Sequence, residues 1–137
     1  MNNVHELPVR IYYEDTDAGG VVFYANYLKF AERGRTEFLR DIGFENSQLF
    51  KENRVLFLVK RVEAEYFTPA RLDDNLTVKT KLLTLKNTSF EMKQDVMRGE
   101  QLICAMKIVL VCVGEDGRPF RLPAAVRDKL FEKGPVE

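Results

Sequence analysis

The sequence predicts an α+β fold in which one long helix is wrapped by a curved antiparallel sheet. One observation is an amphipathic pattern over Asn26–Ile42, where apolar residues recur at three- and four-residue spacing. The other is a series of four strand-like stretches between residues 55 and 113, apolar on one face and charged on the other. Since only one helix is long and apolar enough to cover that face, the two patterns belong to one layered unit.

The first elements are a strand and the long helix, joined by a glycine turn. Pro8–Asp15 alternates loosely and is predicted to be a strand, and Thr16–Gly20 is a turn whose adjacent glycines can adopt positive φ. The helix follows at Asn26–Ile42 and is stopped by Gly43. Because a glycine inside a helix costs about 1 kcal/mol relative to alanine, we expect Gly34 to lie close against the sheet.

The rest of the chain is predicted to form a short helix, four strands and a terminal helix. Polar and glycine-containing turns separate the strands, and Gly99-Glu100 is a two-residue hairpin connection. Without repeats or linkers, residues 1–137 are predicted to form one domain. The segments are a short helix or loop at Asn46–Asn53, strands at Val55–Phe67, Leu76–Leu85, Ser89–Arg98 and Gln101–Val113, and a helix at Pro123–Lys133.

The charge and hydropathy of the chain exclude several classes of function. Lys plus Arg and Asp plus Glu each number 21, so the formal net charge of zero gives no reason to expect nucleic-acid binding. The N-terminus lacks the pattern of a signal peptide, and apolar runs are too short for a membrane-spanning segment. We therefore expect a cytoplasmic protein.

The cysteines and the histidine limit the available chemistry. Cys104 and Cys112 lie within one predicted strand and are expected to be buried free thiols, not part of a disulfide framework or zinc site. The single histidine, His5, lies in an N-terminal segment that we expect to be mobile, so histidine-dependent nucleophilic catalysis is not expected. We find no metal-ligand cluster and no nucleotide-binding motif, and predict neither a metal nor a cofactor.

Asp17 is the candidate for catalysis, because it lies in the glycine turn just ahead of a helix N-terminus. Helix N-termini present unpaired N–H donors and a partial positive charge. The carboxylate of Asp17 would attack a carbonyl carbon, or activate water toward it, while amides near Phe23 and Tyr24 polarise the carbonyl oxygen. In the alternative interpretation Asp17 only caps its own turn and Tyr24 is a core aromatic. The residues alone leave both open.

Two stretches resemble a known family. EDTDAGGVVFYANYLKFAERGRTE, from Glu14 to Glu37, is similar to the signature of hotdog-fold acyl-CoA thioesterases. VEAEYFTPARLDD, from Val62 to Asp74, is similar to the same family. The resemblance is to the branch of 4-hydroxybenzoyl-CoA thioesterase and the Tol–Pal-associated, YbgC-type enzymes, and it implies a hotdog fold over the whole domain.

The resemblance also implies roles for individual residues. Asp17 matches the catalytic aspartate of the family, and the amide near Tyr24 matches the donor that polarises the thioester carbonyl. Many YbgC-type members carry histidine where this chain has Tyr24. A tyrosine does not titrate usefully near neutral pH, so Asp17 is expected to carry the chemistry alone. The motif leaves open whether Asp17 attacks directly or activates water.

The resemblance further implies an oligomer and a substrate. Family members form side-by-side homodimers with each site at the subunit boundary, and these dimers often pair into homotetramers. The substrate is expected to be an acyl-CoA with a short aliphatic or an aromatic acyl group. The predicted substrate contacts are Val22, Phe23 and Tyr27 near the helix start, Phe57, Val59 and Lys60 from the facing subunit, and Lys86, Thr88 and Ser89 beside the coenzyme A phosphates.

Two other classes of function stay open. One is a non-catalytic hotdog module that binds an acyl thioester as a signal. The other is an interaction protein with partners in the Tol–Pal envelope machinery or in lipid synthesis, which rests on the genomic association of the Tol–Pal branch. Turnover of a thioester would exclude the first, and a stable protein partner would support the second.

Overall fold

A computed structural model describes residues 3–134, which form one five-stranded antiparallel sheet and three α-helices. The strand order is β1-β3-β4-β5-β2, and α1 packs against one face of the sheet. No helix within residues 3–134 is both long and apolar enough to span a membrane. In chain order the elements are β1 (His5–Arg10), a single 3-10 turn (Tyr13–Asp15), α1 (Asn26–Asp41), α2 (Asn46–Asn53), β2 (Leu56–Tyr66), β3 (Asn75–Leu85), β4 (Ser89–Arg98), β5 (Gln101–Val113) and α3 (Ala124–Lys133).

The predicted α+β architecture is confirmed, with one long helix on an antiparallel sheet. The limits of the short helix and of the last four strands agree with the predicted segments to within a residue or two. The predicted single domain at residues 1–137 includes five terminal residues, 1, 2 and 135–137, that lie outside the described part of the chain.

The start of the chain differs from the prediction. The strand expected at Pro8–Asp15 lies instead at His5–Arg10, because a tight turn replaces its second half. In that turn the Tyr12 N–H donates to the Asp15 carboxylate at 2.8 Å, and the Asp15 N–H donates to the Tyr12 carbonyl at 3.0 Å. Local side-chain hydrogen bonds of this kind compete with strand pairing.

The expectation that His5 lies in a mobile segment is wrong. His5 is the first residue of β1 and is paired with Thr80 of β3. Its ring lies edge-on to the ring of Phe38, with the centroids 6.3 Å apart. The N-terminal segment is therefore an edge of the sheet, held by both ladder pairing and an aromatic contact.

β2 lies at the opposite edge of the sheet, far from the strand that follows it in sequence. It pairs with β5, and a bulge between Val59 and Arg61 shifts its alternation by one residue. Side chains directly opposite each other across strands point to the same face, and the partners in β5 are buried. The β2 side chains on the helix side of the sheet are therefore Phe57, Val59, Val62, Ala64 and Tyr66.

Gly34 marks the closest approach of α1 to the sheet, as its position on the apolar stripe predicts. A Cβ atom there would lie 2.8 Å from Val78 Cγ1 and 3.0 Å from both Gln94 Nε2 and Thr80 Oγ1. The buried Gln94 side chain donates to the Ala31 carbonyl at 2.8 Å and to the Thr80 hydroxyl at 2.9 Å. A polar network inside an apolar core therefore fixes the helix on the sheet.

Both thiols are buried in β5, as predicted, and neither forms a disulfide. Burial raises the pKa of Cys104 to about 12 and that of Cys112 to about 11, because removal from water disfavours the thiolate. The thiols therefore stay protonated and act as small apolar groups of the core.

Replacing Gly34 with valine should lower the free energy of unfolding by about 1–3 kcal/mol, since the added atoms overpack the contact with β3 and β4. Gly34→Ala should lower the free energy of unfolding by less, because its clash is partly offset by a helix-propensity gain of about 1 kcal/mol. Urea denaturation measures both changes. Arg33→Val, at an exposed position of the same helix, is the matched control for β-branching. Equal losses for Gly34→Val and Arg33→Val would contradict the tight contact.

Candidate active site

Asp17 lies in a tight loop that closes on itself just before α1. The Asp17 N–H donates to the Val21 carbonyl at 2.9 Å, and the Gly20 N–H donates to the Asp17 carbonyl at 3.0 Å. Gly20 has a φ of +80°, a conformation that side chains disfavour. The glycine is therefore needed to turn the chain and hold Asp17 in place.

The carboxylate of Asp17 is exposed and uses one of its two oxygens locally. Oδ1 accepts a hydrogen bond from the Gly19 N–H at 2.9 Å. Oδ2 has no hydrogen-bond partner within residues 3–134. Oδ1 of Asp17 therefore caps the turn, as the alternative interpretation expects, and Oδ2 is free to act on a bound molecule.

The residues just before α1 offer two unpaired amides after this loop. The Phe23 N–H donates to the Asp15 carbonyl at 3.0 Å, and the Asn26 side chain donates to the same oxygen at 2.8 Å. The N–H groups of Tyr24 and Ala25 have no acceptor in the part of the chain that the structure describes. Of the amides near Phe23 and Tyr24 suggested by the sequence, that of Phe23 is paired, and those of Tyr24 and Ala25 are available.

Tyr27 anchors the loop from behind. Its hydroxyl accepts a hydrogen bond from the Ala70 N–H at 3.1 Å, and the Ala70 carbonyl accepts one from the Val22 N–H at 2.8 Å. Burial raises the pKa of Tyr27, which is only 3% exposed. The structure gives Tyr27 a position in the core, unlike the substrate-facing position predicted from the sequence. The side chain of Val22 is likewise buried.

Three exposed aromatic side chains form a patch beside the loop, which we call the aromatic patch: Phe23, Tyr24 and Tyr66. The Tyr24 ring lies 5.0 Å from the Phe23 ring and 6.1 Å from the Tyr66 ring, measured between centroids. Sequence reasoning had not singled out Tyr66 for the site, although its place on one face of β2 with Val62 and Ala64 was a usable signal. The patch offers an apolar surface that begins at Phe23, directly after the Asp17 loop in the sequence.

The other predicted substrate contacts lie at a distance from Asp17 within one subunit. Phe57 is nine residues from Tyr66 along β2, which corresponds to roughly 30 Å of extended strand, and Val59 and Lys60 also lie toward that far end. The structure therefore does not bring them to the Asp17 loop of the same chain.

The predicted coenzyme A contacts lie in and beside the β3–β4 turn. There the Lys86 N–H donates to the Ser89 carbonyl and the Thr88 carbonyl accepts from Cys112, both at 2.8 Å. The side chain of Lys86 is exposed, and those of Thr88 and Ser89 are half-buried. The turn is well tied to the sheet and presents one cation to solvent.

Comparison with known proteins identifies the family. The model of the thioesterase-like superfamily matches residues 12–130, a range that includes the Asp17 loop, α1 and β2–β5. The chain belongs to the thioesterase-like superfamily. The predicted hotdog fold and membership of the thioesterases are thereby confirmed, and the protein is a thioester hydrolase.

Individual thioesterases agree with this assignment. The acyl-CoA thioester hydrolase YbgC of Escherichia coli is 43% identical over 121 residues, or 87% of this chain and 90% of that protein. The acyl-CoA thioesterase YbgC of Haemophilus influenzae is 41% identical over 113 residues, which cover 82% of this chain and 83% of that protein. The crystal structure of a probable thioesterase from Bartonella henselae superposes with a TM-score of 0.85 at 40% identity, covering 88% of this chain and 99% of that one.

Removing the Tyr27 hydroxyl should weaken the support behind this thioesterase site. Tyr27→Phe leaves the buried Ala70 N–H unpaired, and we expect the free energy of unfolding to fall by about 1–3 kcal/mol. We also expect kcat for thioester hydrolysis to fall several-fold, because the loop is held less firmly. Urea denaturation and the rate of thiol release measure the two effects. The control for stability is Tyr24→Phe, whose hydroxyl is exposed; if both variants were as stable as the native protein, the anchor would be disproved.

Proposed function

We propose that this protein hydrolyses acyl-CoA thioesters with short aliphatic or aromatic acyl groups, using Asp17 as base or nucleophile. The observation that carries the proposal is that an unpaired carboxylate oxygen and an unpaired amide, on Asp17 and Tyr24, flank one tight loop at a helix N-terminus. The substrate class is supported by the two relatives named acyl-CoA thioester hydrolase and acyl-CoA thioesterase. The exposed aromatic patch suits a small apolar acyl group.

The reaction follows from these two groups. Oδ2 of Asp17 either attacks the thioester carbonyl carbon or takes a proton from the water that attacks it. The carbonyl oxygen then gains negative charge, which the Tyr24 N–H and the positive end of α1 stabilise. Collapse of this intermediate breaks the carbon–sulfur bond and releases the thiol. Direct attack gives an anhydride that water must then hydrolyse, so both routes consume one water and yield an acid and a thiol.

A homodimer through β2 is the second part of the proposal. The outer edge of β2 pairs with no other strand within residues 3–134, and an edge of unpaired N–H and C=O groups is a template for another strand. Four apolar side chains lie exposed along it, which disfavours an isolated monomer. They are Leu56, Leu58, Val59 and Val62, each between 39% and 48% exposed.

Pairing of β2 with a second copy of itself would complete the site. A two-fold axis near the middle of an antiparallel strand sets the Tyr66 end of one copy beside the Leu56 end of the other. The aromatic patch and the Asp17 loop would then face the partner's Phe57, Val59 and Lys60. This supports the facing-subunit contacts that the family resemblance implies. The exposed Lys86, with Thr88 and Ser89, would meet the coenzyme A phosphates.

Asp17→Asn should lower kcat by about 100-fold or more, the scale expected when a general base or nucleophile is lost. Asparagine keeps an oxygen for the Gly19 N–H, so the loop and the fold should be preserved. The measurement is thiol release from a panel of acyl-CoAs. The matched control is Asp15→Asn, which should stay within a few-fold of the native rate, because the Asp15 carboxylate points to the Tyr12 N–H.

Near-normal turnover by a folded Asp17→Asn protein would refute the role of the carboxylate. Tight binding of acyl-CoA by the native protein without any hydrolysis would instead favour a non-catalytic module that binds acyl thioesters.

Val62→Glu should convert a dimer to a monomer, because it places a charge in the middle of the proposed interface. Light scattering should show the native protein at twice the chain mass of 15.9 kDa and the variant at that mass. Thioester hydrolysis should fall together with the mass, since each site would lose the partner's contribution. Phe131→Glu, at an exposed apolar position on α3, is the matched control and should remain dimeric. A native protein that is active as a monomer would disprove the interface.

A further inference from the structure

A narrow groove runs between α1 and the helix side of β2, β4 and β5. Its volume is about 100 Å³, below that of a typical ligand pocket, so it has room for only a few atoms of a chain. The walls are apolar on the sheet side, and the α1 side is polar except at Leu39. The wall residues on the strands are Phe57, Val59, Phe90, Met92 and Leu110.

Arg35 and Glu32 are the charged residues that α1 contributes to this groove. Its guanidinium donates to the side-chain oxygen of Gln94 at 3.1 Å, a neutral partner. No carboxylate lies within 4.0 Å of it in the described part of the chain. The nearby Glu32 carboxylate instead accepts a hydrogen bond from the Thr36 hydroxyl at 2.7 Å. Arg35 therefore keeps unpaired donors, and the Glu32 carboxylate balances its charge only from beyond 4.0 Å.

Such an arrangement is costly unless something compensates it. Burial lowers the pKa of Arg35, since removal from water disfavours the charged guanidinium. A half-buried charge without a close counterion is less favourable than the same charge in water, and an ionised ligand group would recover part of that cost. The guanidinium fork matches a carboxylate in shape and charge.

The groove meets the proposed active site through the partner subunit. Phe57 and Val59 are walls of the groove, and they belong to the end of β2 that a two-fold axis sets beside Tyr66 of the other copy. An acyl group held by its carbonyl at the Asp17 loop would extend from the edge of the aromatic patch toward the partner's groove. This step rests on the proposed function and on the proposed dimer.

We propose that Arg35 selects acyl groups that end in a carboxylate, so that the preferred substrates are coenzyme A monothioesters of short dicarboxylic acids. The methylene groups of the acyl chain contact the apolar wall of the groove, and the terminal carboxylate binds the partner's Arg35. A neutral acyl group of the same length leaves the guanidinium unpaired, and specificity arises from that difference.

A purely structural role for Arg35 makes a different prediction. In that role the guanidinium only holds the Gln94 oxygen, so that the Gln94 amide can donate to Ala31 and Thr80. Loss of Arg35 would then loosen the seat of α1 and affect all substrates equally. The ratio of kcat/KM for a charged and a neutral substrate therefore distinguishes the two roles of Arg35.

The test compares kcat/KM for glutaryl-CoA and hexanoyl-CoA, which differ by a terminal carboxylate in place of an ethyl group. We expect the native protein to prefer glutaryl-CoA by about tenfold or more. Arg35→Met should remove the preference by lowering kcat/KM for glutaryl-CoA alone, and Arg35→Lys, which keeps the charge, should restore part of it. Arg33→Met, at an exposed neighbouring position, is the matched control and should leave both values unchanged.

A native protein that hydrolyses hexanoyl-CoA as well as glutaryl-CoA would overturn the proposal, and so would equal losses for both substrates in Arg35→Met. The ratio of kcat/KM for the two substrates in the native protein tests the proposed specificity even if Arg35→Met does not fold. Failure to hydrolyse any acyl-CoA would instead overturn the proposed function itself, which keeps the two failures distinct.

Discussion

The seat of α1 on the sheet is the contact on which the candidate site depends. Gly34 allows the helix backbone to approach β3 and β4, and Gln94 ties the carbonyl of Ala31 to the sheet. Two turns before Gly34, the Tyr27 hydroxyl accepts a hydrogen bond from the Ala70 N–H. The Ala70 carbonyl in turn accepts one from the Val22 N–H at the end of the Asp17 loop. These contacts fix the position of the helix and, with it, that of the Tyr24 amide just before its first residue. Preorganised donors of this kind need no reorganisation when charge develops.

The proposed reaction needs few groups. One carboxylate in a glycine turn and one backbone amide would supply a base or nucleophile and a donor for the carbonyl oxygen, with the helix terminus adding partial positive charge. The proposed reaction therefore depends more on the position of backbone N–H groups than on polar side chains. This explains why a tyrosine is acceptable at position 24, since the amide of that residue is what the proposed reaction uses.

In the proposed dimer, a single subunit supplies only part of this arrangement. The aromatic patch, the long free edge of β2 and the Arg35 groove are all open in one chain, and each has an exposed feature that is costly to leave in water or without a partner. Pairing two copies through β2 would cover all three at once, because the two-fold axis relates one end of the strand to the other. The proposed acyl specificity would then be a property of the interface, with the carbonyl held by one subunit and the end of the chain by the other.

The sequence by itself determined the elements and the local chemistry: the amphipathic period of α1, the alternation of β3–β5, the glycine turn and the position of Asp17. These are properties of neighbouring residues, which helical and strand periods report directly. Only the tertiary structure decided what depends on distant residues. It moved His5 into a sheet edge, set β2 against β5, buried Tyr27, brought Tyr66 to Tyr24 and left the Arg35 guanidinium without a close carboxylate. Which side chains meet across a sheet is set by strand order and register. The one-residue bulge near Lys60 decides which side chains in the second half of β2 point toward the helix.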